Sequence, residues 1–423
     1  MYRVVCAALA LTLAGAGVAG ANGRFPASTN VHGRPGDDQT ILVPVTFGLL
    51  FSADNGASFR WMCEDSIGYG GTYDPDYAIT ADGVIYATTF DGLKVTRDGG
   101  CHWDVVPDLD QQWVGEVEIG PDGKIWAATS SGGQPNDVFV SADGSSFTAS
   151  NLFHDSAWWK SLRVAPGNPS RIYVTGYLVA DTPEAMLRRS DDGGKTWTEL
   201  AVDDFAFGSQ PQLFVEAVSP LDPDIVFARV LGAVSPAGDA IYRSTDGGES
   251  WTNVLEMADV IGAFTMRSDG TTVIAATIGK CAGEPMDASK GCVRISTDAG
   301  LTWAPAAQQP KMACITERGD GALFACGANW EPDNFALGTS TDAASWTKLF
   351  RFTEIAGPVQ CESGTVQFDV CESLQWPSIA AQFGIEPEVV DAGPDPKPPG
   401  GCGCNIAFAS VLIVIPRRRR RRR

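Results

Sequence analysis

A short polar motif repeats seven times along this chain at a nearly constant interval. Each copy begins with Ser or Thr, has Asp two residues later, usually continues with Gly, and ends with Trp or Phe, as in SDDGGKTW (190–197). Neighbouring aspartates of the series are 44 to 54 residues apart: Asp54, Asp98, Asp143, Asp192, Asp246, Asp298 and Asp342. A period of that size is the sequence signature of a propeller or a solenoid.

The sequence of one period predicts four strands. Residues 76–106 contain four short β-rich runs separated by the turn-forming clusters ADG, FDG and RDGG. Four strands per repeat is the composition of one propeller blade. We therefore predict an all-β fold, a seven-bladed β-propeller of four-stranded antiparallel blades. An eighth blade is the alternative, because residues 358–385 follow the last copy of the motif.

The residue types of the motif suit a tight turn. An Asp side chain can accept hydrogen bonds from backbone N–H groups one to three residues on, Gly supplies a positive φ, and the aromatic side chain packs under the hairpin. The motif resembles the Asp-box (BNR) repeat of sialidases, sortilin-type receptors, xyloglucanases and photosystem II assembly factors. Five copies fit in full, whereas those at 141–147 and 340–346 are one residue short, and the latter has Ala in place of Gly.

This resemblance predicts a structural role for the seven aspartates. Each motif lies between the third and fourth strands of its blade, on the face opposite the connections between blades. We expect the aspartates to form turns and to bind neither a metal nor a substrate.

The N-terminus carries an export signal. Residues 1–21 contain Arg3, an apolar run and small residues near their end, which predicts a secretory signal peptide. The propeller is then expected to span residues 22–385 and to end in a closing hairpin clasped by a disulfide. A Pro/Gly linker at 386–401 follows it.

The C-terminus carries a second sorting feature. Residues 402–423 contain Cys402, Cys404, a short apolar segment and seven arginines. Together with the linker they resemble the MYXO-CTERM sorting tail of myxobacterial exported proteins. That resemblance implies transient membrane contact, cleavage by processing machinery, and retention at the cell surface or outer membrane through the two cysteines.

Eight cysteines lie between the two ends. An even number in an exported chain indicates disulfides. Proximity in sequence favours Cys281–Cys292, Cys314–Cys326 and Cys361–Cys371, and elimination leaves Cys63–Cys101.

No catalytic machinery can be assigned from sequence. The chain has three histidines and neither HExxH nor GxSxG, so catalytic residues are unknown and no metal or cofactor is predicted. The nearest match to the Arg-Ile-Pro signature of sialidases is GRFP (23–26), which lacks the pattern, and Asp-box xyloglucanases use two propellers where one fits here. The net charge of −20 repels nucleic acid, so we expect no nucleic-acid partner.

Function is therefore expected on the face opposite the Asp-boxes, where the longer connections lie. Exposed tryptophans can stack on sugars or on partner side chains. The candidates for ligand binding are Trp113, Trp158, Trp159, Trp330, Glu331 and Asp333.

We predict a secreted, surface-retained, non-catalytic binding or scaffold protein for a protein, peptide or glycan ligand. The alternative is a glycoside hydrolase whose carboxylates and arginines converge at the mouth of the central channel.

Overall fold

Seven sheets, each built on four antiparallel strands, form the body of the protein, as seen in a computed structural model that describes residues 24–208, 211–234, 238–279, 281 and 290–386. The predicted signal peptide, nearly all of the linker, and the tail with Cys402 and Cys404 lie outside the described residues. Within the described ranges, no helix is both long and apolar enough to cross a membrane.

Each blade is built from four consecutive strands. Blade 1 contains β1 (His32–Gly33), β2 (Ile41–Val45), β3 (Gly48–Ser52) and β4 (Phe59–Met62); blade 2 contains β5 (Tyr77–Ile79), β6 (Ile85–Thr89), β7 (Gly92–Thr96) and β8 (Asp104–Val105). Blade 3 contains β9 (Val114–Ile119), β10 (Ile125–Thr129), β11 (Val138–Ser141) and β12 (Thr148–Ala149); blade 4 contains β13 (Ala157–Ala165), β14 (Asn168–Leu178), β15 (Glu184–Ser190) and β16 (Thr198–Leu200).

The same pattern continues to the last blade. Blade 5 contains β17 (Leu213–Val218), β18 (Val226–Val234), β19 (Gly238–Ser244) and β20 (Thr252–Met257); blade 6 contains β21 (Ile261–Met266), β22 (Val273–Thr277), β23 (Val293–Ser296) and β24 (Ala304–Pro305). Blade 7 contains β25 (Cys314–Glu317), β26 (Leu323–Cys326), β27 (Leu337–Ser340) and β28 (Thr347–Phe350). The prediction of seven four-stranded blades is confirmed.

Short helical elements occur between and after the blades. They are α1 (Glu64–Ile67), 3-10 turns at Pro107–Leu109 and Phe352–Glu354, a π-helical segment at Gln367–Gln375, and α2 (Trp376–Phe383).

The first strand of each blade is the inner strand. The inner strands of consecutive blades contact one another in order, from β1 to β25, and so surround a central channel. The second strands of blades 1, 2, 3, 6 and 7 are buried on both faces, as in IWAAT of β10 and VIAAT of β22. Seven apolar cores lie between neighbouring blades, including the one between blades 7 and 1.

The Asp-boxes form the turns between third and fourth strands. In the full copies the aspartate accepts a hydrogen bond from the backbone N–H four residues on, and often from the one three residues on, as Asp192 does from Thr196 and Lys195. In the two short copies the donors are two and three residues on. In the full copies the hydrogen bonds of the aspartate therefore reach one residue farther along the chain than the expected one to three residues. Hydrogen bonds to Asp192 lower its pKa to about 2, and the hydrogen bond from the Thr196 side chain has the largest effect.

The second glycine of the box packs against the preceding blade. A Cβ atom at Gly194 would lie 2.7 Å from the Trp126 ring on β10 of blade 3, and the backbone there has φ +80°. In box 7, Ala343 takes the same place with φ 58°. It packs in the core with Ile274 of blade 6, whose side chain is smaller than the aromatic ring that Gly194 meets.

The closing segment does not form the predicted hairpin. Strand β29 (Ile355–Pro358) pairs parallel to β4 as a fifth strand of blade 1. The π-helical segment and α2 follow it, and Ile379 and Phe383 enter the core between blades 7 and 1.

The segment is joined to the early blades by two disulfides, Cys63–Cys371 and Cys101–Cys361. The predicted pairs Cys361–Cys371 and Cys63–Cys101 are therefore wrong. Closing the ring brings cysteines 260 and 308 residues apart together, which proximity in sequence does not reveal. The local pairs Cys281–Cys292 and Cys314–Cys326 are both present.

We expect Gly194→Ala to destabilise the protein more than Gly193→Ala. Both glycines have a positive φ, so each substitution costs about 1 kcal/mol in backbone strain. A Cβ at Gly193 meets open space, whereas one at Gly194 overlaps Trp126 and adds about 1–3 kcal/mol of overpacking. Urea unfolding of the two variants measures the difference. Equal losses of unfolding free energy would contradict the close packing of box and blade.

Candidate functional site

Acidic side chains line the channel from the inner strands of blades 2 and 3. In β9, Val114 and Val117 are buried in the core between blades, while Glu116 and Glu118 are partly exposed. Their side chains keep 15% and 20% of their surface exposed. Asp76, just before β5, also lines the channel cavity.

Arg163 on β13 joins the two glutamates. Its Nη1 donates to Glu116 Oε1 at 2.5 Å and to Glu118 Oε2 at 3.2 Å. Glu116 Oε1 and Glu118 Oε2 both contact this one nitrogen, so the distance between the two oxygens cannot exceed the sum of the two contact distances. Glu118 Oε1 also accepts the Val164 N–H at 2.6 Å. Glu118 is thus bonded through both oxygens, and Arg163 is held between two carboxylates.

A second ion pair continues this network into blade 5. Arg229 donates through Nε to Glu216 Oε1 at 2.5 Å and lies 3.4 Å from Asp239 Oδ2. Arg163 Nε in turn donates to the Glu216 carbonyl oxygen. The charges of blades 3, 4 and 5 therefore form a connected polar wall.

A cavity of about 750 Å³ opens beside these carboxylates. His32, Asp76, Glu116, Glu118 and Arg163 line it, and the turns after β1 and β25 form its rim. Arg318 on that rim donates to Asn55 of the first Asp-box at 2.6 Å. The cavity therefore opens on the Asp-box face, whereas sequence reasoning favoured the opposite face.

The cavity shifts the protonation of its side chains. Burial, opposed by the charge of Arg163, raises the pKa of Glu118 to about 7. Burial also raises the pKa of Glu116 and Asp76. Burial and then the charge of Arg163 lower the pKa of His32 to about 4, so its imidazole is neutral at pH 7. The buried Nε2 atom of His32 has no hydrogen-bond partner among the described residues.

A row of aromatic rings lies at the other end of the inner strands. Adjacent ring centroids are 4.4 Å apart for Tyr73 and Phe90, 5.1 Å for Phe90 and Trp113, 5.2 Å for Trp113 and Trp158, and 5.8 Å for Trp158 and Tyr177. We call these five residues the aromatic row. They come from the connections and strand ends of blades 2 to 4, on the face opposite the Asp-boxes.

The structure divides the tryptophans that the sequence singled out. Trp113 and Trp158 join the aromatic row. Trp159 is fully buried between blades 3 and 4, because neighbouring side chains of a strand point to opposite faces, and its predicted ligand contact is wrong. Trp330 is 37% exposed in the connection between β26 and β27, where its ring contacts Phe25.

The two predicted ligand-binding residues close to Trp330 in sequence, Glu331 and Asp333, differ from each other. Asp333 accepts the Lys311 N–H at 3.2 Å, so its carboxylate supports a loop. Glu331 is exposed beside Trp330.

Sequence reasoning missed the channel residues. The sequence VGEVEI of strand β9 did indicate two of them, because Glu116 and Glu118 alternate with Val117 and Ile119. In a propeller, such alternation points the charges into the channel. Asp76 and Arg163 gave no comparable signal, because single charges near strand ends are common.

Comparisons with known proteins give a repeat family, sequence relatives and similar solved structures. The BNR/Asp-box repeat family matches residues 188–199. A probable oligoxyloglucan-reducing end-specific xyloglucanase of Neosartorya fischeri is 27% identical over 279 residues, which are 59% of this chain and 32% of that protein. The xyloglucanase Xgh74A of Acetivibrio thermocellus is 25% identical over 170 residues, or 36% of this chain and 20% of the relative.

The solved structures are more distant. A GH74 xyloglucanase from Xanthomonas campestris has 16% identity, with 81% of this chain and 66% of that chain covered, at a TM-score of 0.36. A TM-score that low supports no inference about function. This chain spans about a third or less of the curated relatives that it matches.

These relatives overturn the prediction of a non-catalytic binding or scaffold protein. Both are xyloglucanases by name, and they favour the glycoside hydrolase alternative. No group of three or more metal-ligating side chains occurs among the described residues.

We expect Glu118→Gln to become more stable relative to wild type as pH rises. The native state keeps the Glu118 proton up to about pH 7, while an ordinary glutamate releases it near pH 4.5. Between these values the native state binds more protons than the unfolded state, so the unfolding free energy falls as pH rises. The glutamine of the variant does not titrate, so the variant does not lose unfolding free energy in this way. We expect its unfolding free energy to rise by about 1–3 kcal/mol relative to wild type between pH 4.5 and pH 8.

The measurement is urea unfolding of both proteins across that pH range. Glu199→Gln is the matched control and should follow wild type, because the Glu199 side chain on β16 is 76% exposed beside Arg188. Parallel pH profiles for Glu118→Gln and wild type would show that burial does not raise the pKa of Glu118.

Proposed function

We propose that this chain is a glycoside hydrolase that acts on xyloglucan or a related glucan at the channel cavity. The observation that carries the proposal is the cluster of Asp76, Glu116, Glu118 and Arg163 around a cavity large enough for sugar residues. The sequence relatives named as xyloglucanases support the same chemistry and suggest the substrate class.

The carboxylates suit different roles. Glycoside hydrolysis needs one protonated carboxylic acid and one ionised carboxylate. We assign the role of the acid to Glu116, because burial raises its pKa. The positive charge of Arg163 lowers this pKa, and the negative charge of Asp76 raises it further. Glu116 donates its proton to the oxygen of the leaving sugar as the glycosidic bond breaks.

We assign the ionised carboxylate to Asp76. Its Oδ2 accepts the Val117 N–H at 3.0 Å, a hydrogen bond that favours the charged form. Asp76 either activates a water molecule or attacks the sugar, depending on the distance to Glu116 when substrate is bound.

The remaining side chains position the reaction. Glu118 holds Arg163, and Arg163 donates to Oε1 of the Glu116 carboxyl group and so fixes its position. His32, neutral at pH 7, lines the same cavity. These residues orient the substrate without transferring a proton.

We expect Glu116→Gln and Asp76→Asn each to lower kcat/KM on xyloglucan oligosaccharides by about a hundredfold or more, since each removes a proton-transfer or nucleophilic group. Chromatography of the products measures the rates. Glu199→Gln should retain full activity as the matched control. Absence of hydrolysis by the wild-type protein, or full activity of Glu116→Gln in folded protein, would refute the assignment.

We also propose that the protein is exported and held at the cell surface after its tail is processed. The four disulfides are consistent with an oxidising compartment. The predicted signal peptide at 1–21 and the tail at 402–423 support export and retention. Cys402 and Cys404 are the proposed processing residues.

We expect intact-mass analysis of surface material to show that residues 1–21 and the arginine run at 417–423 are missing. A membrane protease would remove the arginines, which otherwise stop export at the cytoplasmic side. Replacing both Cys402 and Cys404 with Ser should release the protein from the surface. An intact C-terminus on surface material would contradict processing.

A further inference from the structure

The aromatic row is separate from the channel cavity. None of its five residues lines that cavity, and they lie at the opposite ends of the inner strands. The row crosses three blades, since Phe90 belongs to blade 2, Trp113 precedes blade 3, and Trp158 belongs to blade 4. The proposed hydrolysis does not use it.

The row is held in place and reaches the surface. Tyr73 Oη contacts Thr88 Oγ1 at 2.9 Å and the Val114 carbonyl oxygen at 3.2 Å, which fixes the first ring. Phe90 is 51% exposed, and the other four rings are partly exposed. Contiguous apolar surface of this kind is found at ligand-binding and interaction sites.

Lys160 adds a positive charge to the row. Its Nζ lies 4.3 Å from the ring centroid of Trp113, 5.2 Å from that of Trp158 and 6.0 Å from that of Tyr177. Among the described residues, no carboxylate forms an ion pair with Lys160. Burial lowers its pKa, and no opposite charge offsets that effect.

We propose that the aromatic row and Lys160 form a second carbohydrate site, which binds polysaccharides that carry carboxylate groups, such as uronic acid residues. Aromatic faces stack on the apolar faces of sugar rings, and a half-buried ammonium group without a carboxylate partner favours an anion. The choice of a carbohydrate rests on the proposed function, whereas the requirement for an anion rests on Lys160.

The test measures binding by calorimetry on Glu116→Gln protein, so that hydrolysis cannot consume the ligand. The probes are a galacturonic acid hexamer, cellohexaose of the same length, and hexaglutamate. We expect the acidic hexamer to bind about tenfold or more tightly than cellohexaose, because a hydrogen bond to a charged group adds to stacking. Raising the salt concentration should reduce that preference.

Three further variants locate the site. Lys160→Met keeps the apolar stem and should weaken binding of the acidic hexamer about tenfold, with cellohexaose unchanged. Phe90→Ala removes an exposed ring of the row and should weaken binding of the acidic hexamer. Trp330→Ala is the matched aromatic control, because Trp330 is similarly exposed but lies in blade 7, outside the row, and it should change the binding of neither sugar.

Each other outcome overturns the proposal. These outcomes are no binding of the acidic hexamer, equal binding of both sugars, full binding by Lys160→Met, or hexaglutamate binding as tightly as the sugar. Hydrolysis is measured separately on wild-type protein. If wild-type protein does not hydrolyse xyloglucan but Lys160-dependent binding remains, the second site is supported and the proposed function is rejected. If hydrolysis occurs without Lys160-dependent binding, only the second site is rejected.

Discussion

The packing of blade against blade is the interaction on which the rest of this structure depends. A four-stranded sheet whose second strand is buried on both faces, such as IYATT of β6, cannot exclude water from both faces by itself. Six of the seven apolar cores join blades that are neighbours in sequence. The seventh joins blades 7 and 1, and the C-terminal segment completes it with Cys371, Ile379 and Phe383. Strand β29 and two long-range disulfides stabilise this junction.

The Asp-box takes part in the same packing. Its aspartate and serine organise the turn, and its second glycine allows the turn to approach the preceding blade, as Gly194 approaches Trp126. In the last box Ala343 takes this place in the core between blades 6 and 7. The repeat is therefore a device for joining blades, and it is compatible with many functions. That is why the motif identifies the fold and leaves the chemistry open.

Much of the fold could be predicted from the sequence, because local turns and strands recur at a fixed period. Blade number and the local disulfides Cys281–Cys292 and Cys314–Cys326 follow from short-range features. Ring closure could not be predicted, since it depends on contacts between residues hundreds of positions apart. The candidate site shows the same limit. The alternation of Glu116 and Glu118 in β9 was readable, but their meeting with Arg163 of the next blade required the folded ring.

Strand β13 connects the two surfaces to which we assign function. Trp158 and Lys160 lie near its start, at the aromatic row, and Arg163 lies near its end, at the cavity. The strand is paired along its length with β14 and packed between neighbouring blades, so the relation between the two surfaces is fixed. Ligand bound at the row therefore has no hinge through which to reshape the cavity. Its effect on hydrolysis would come from holding the polysaccharide close and raising the effective concentration of chain segments at the channel mouth.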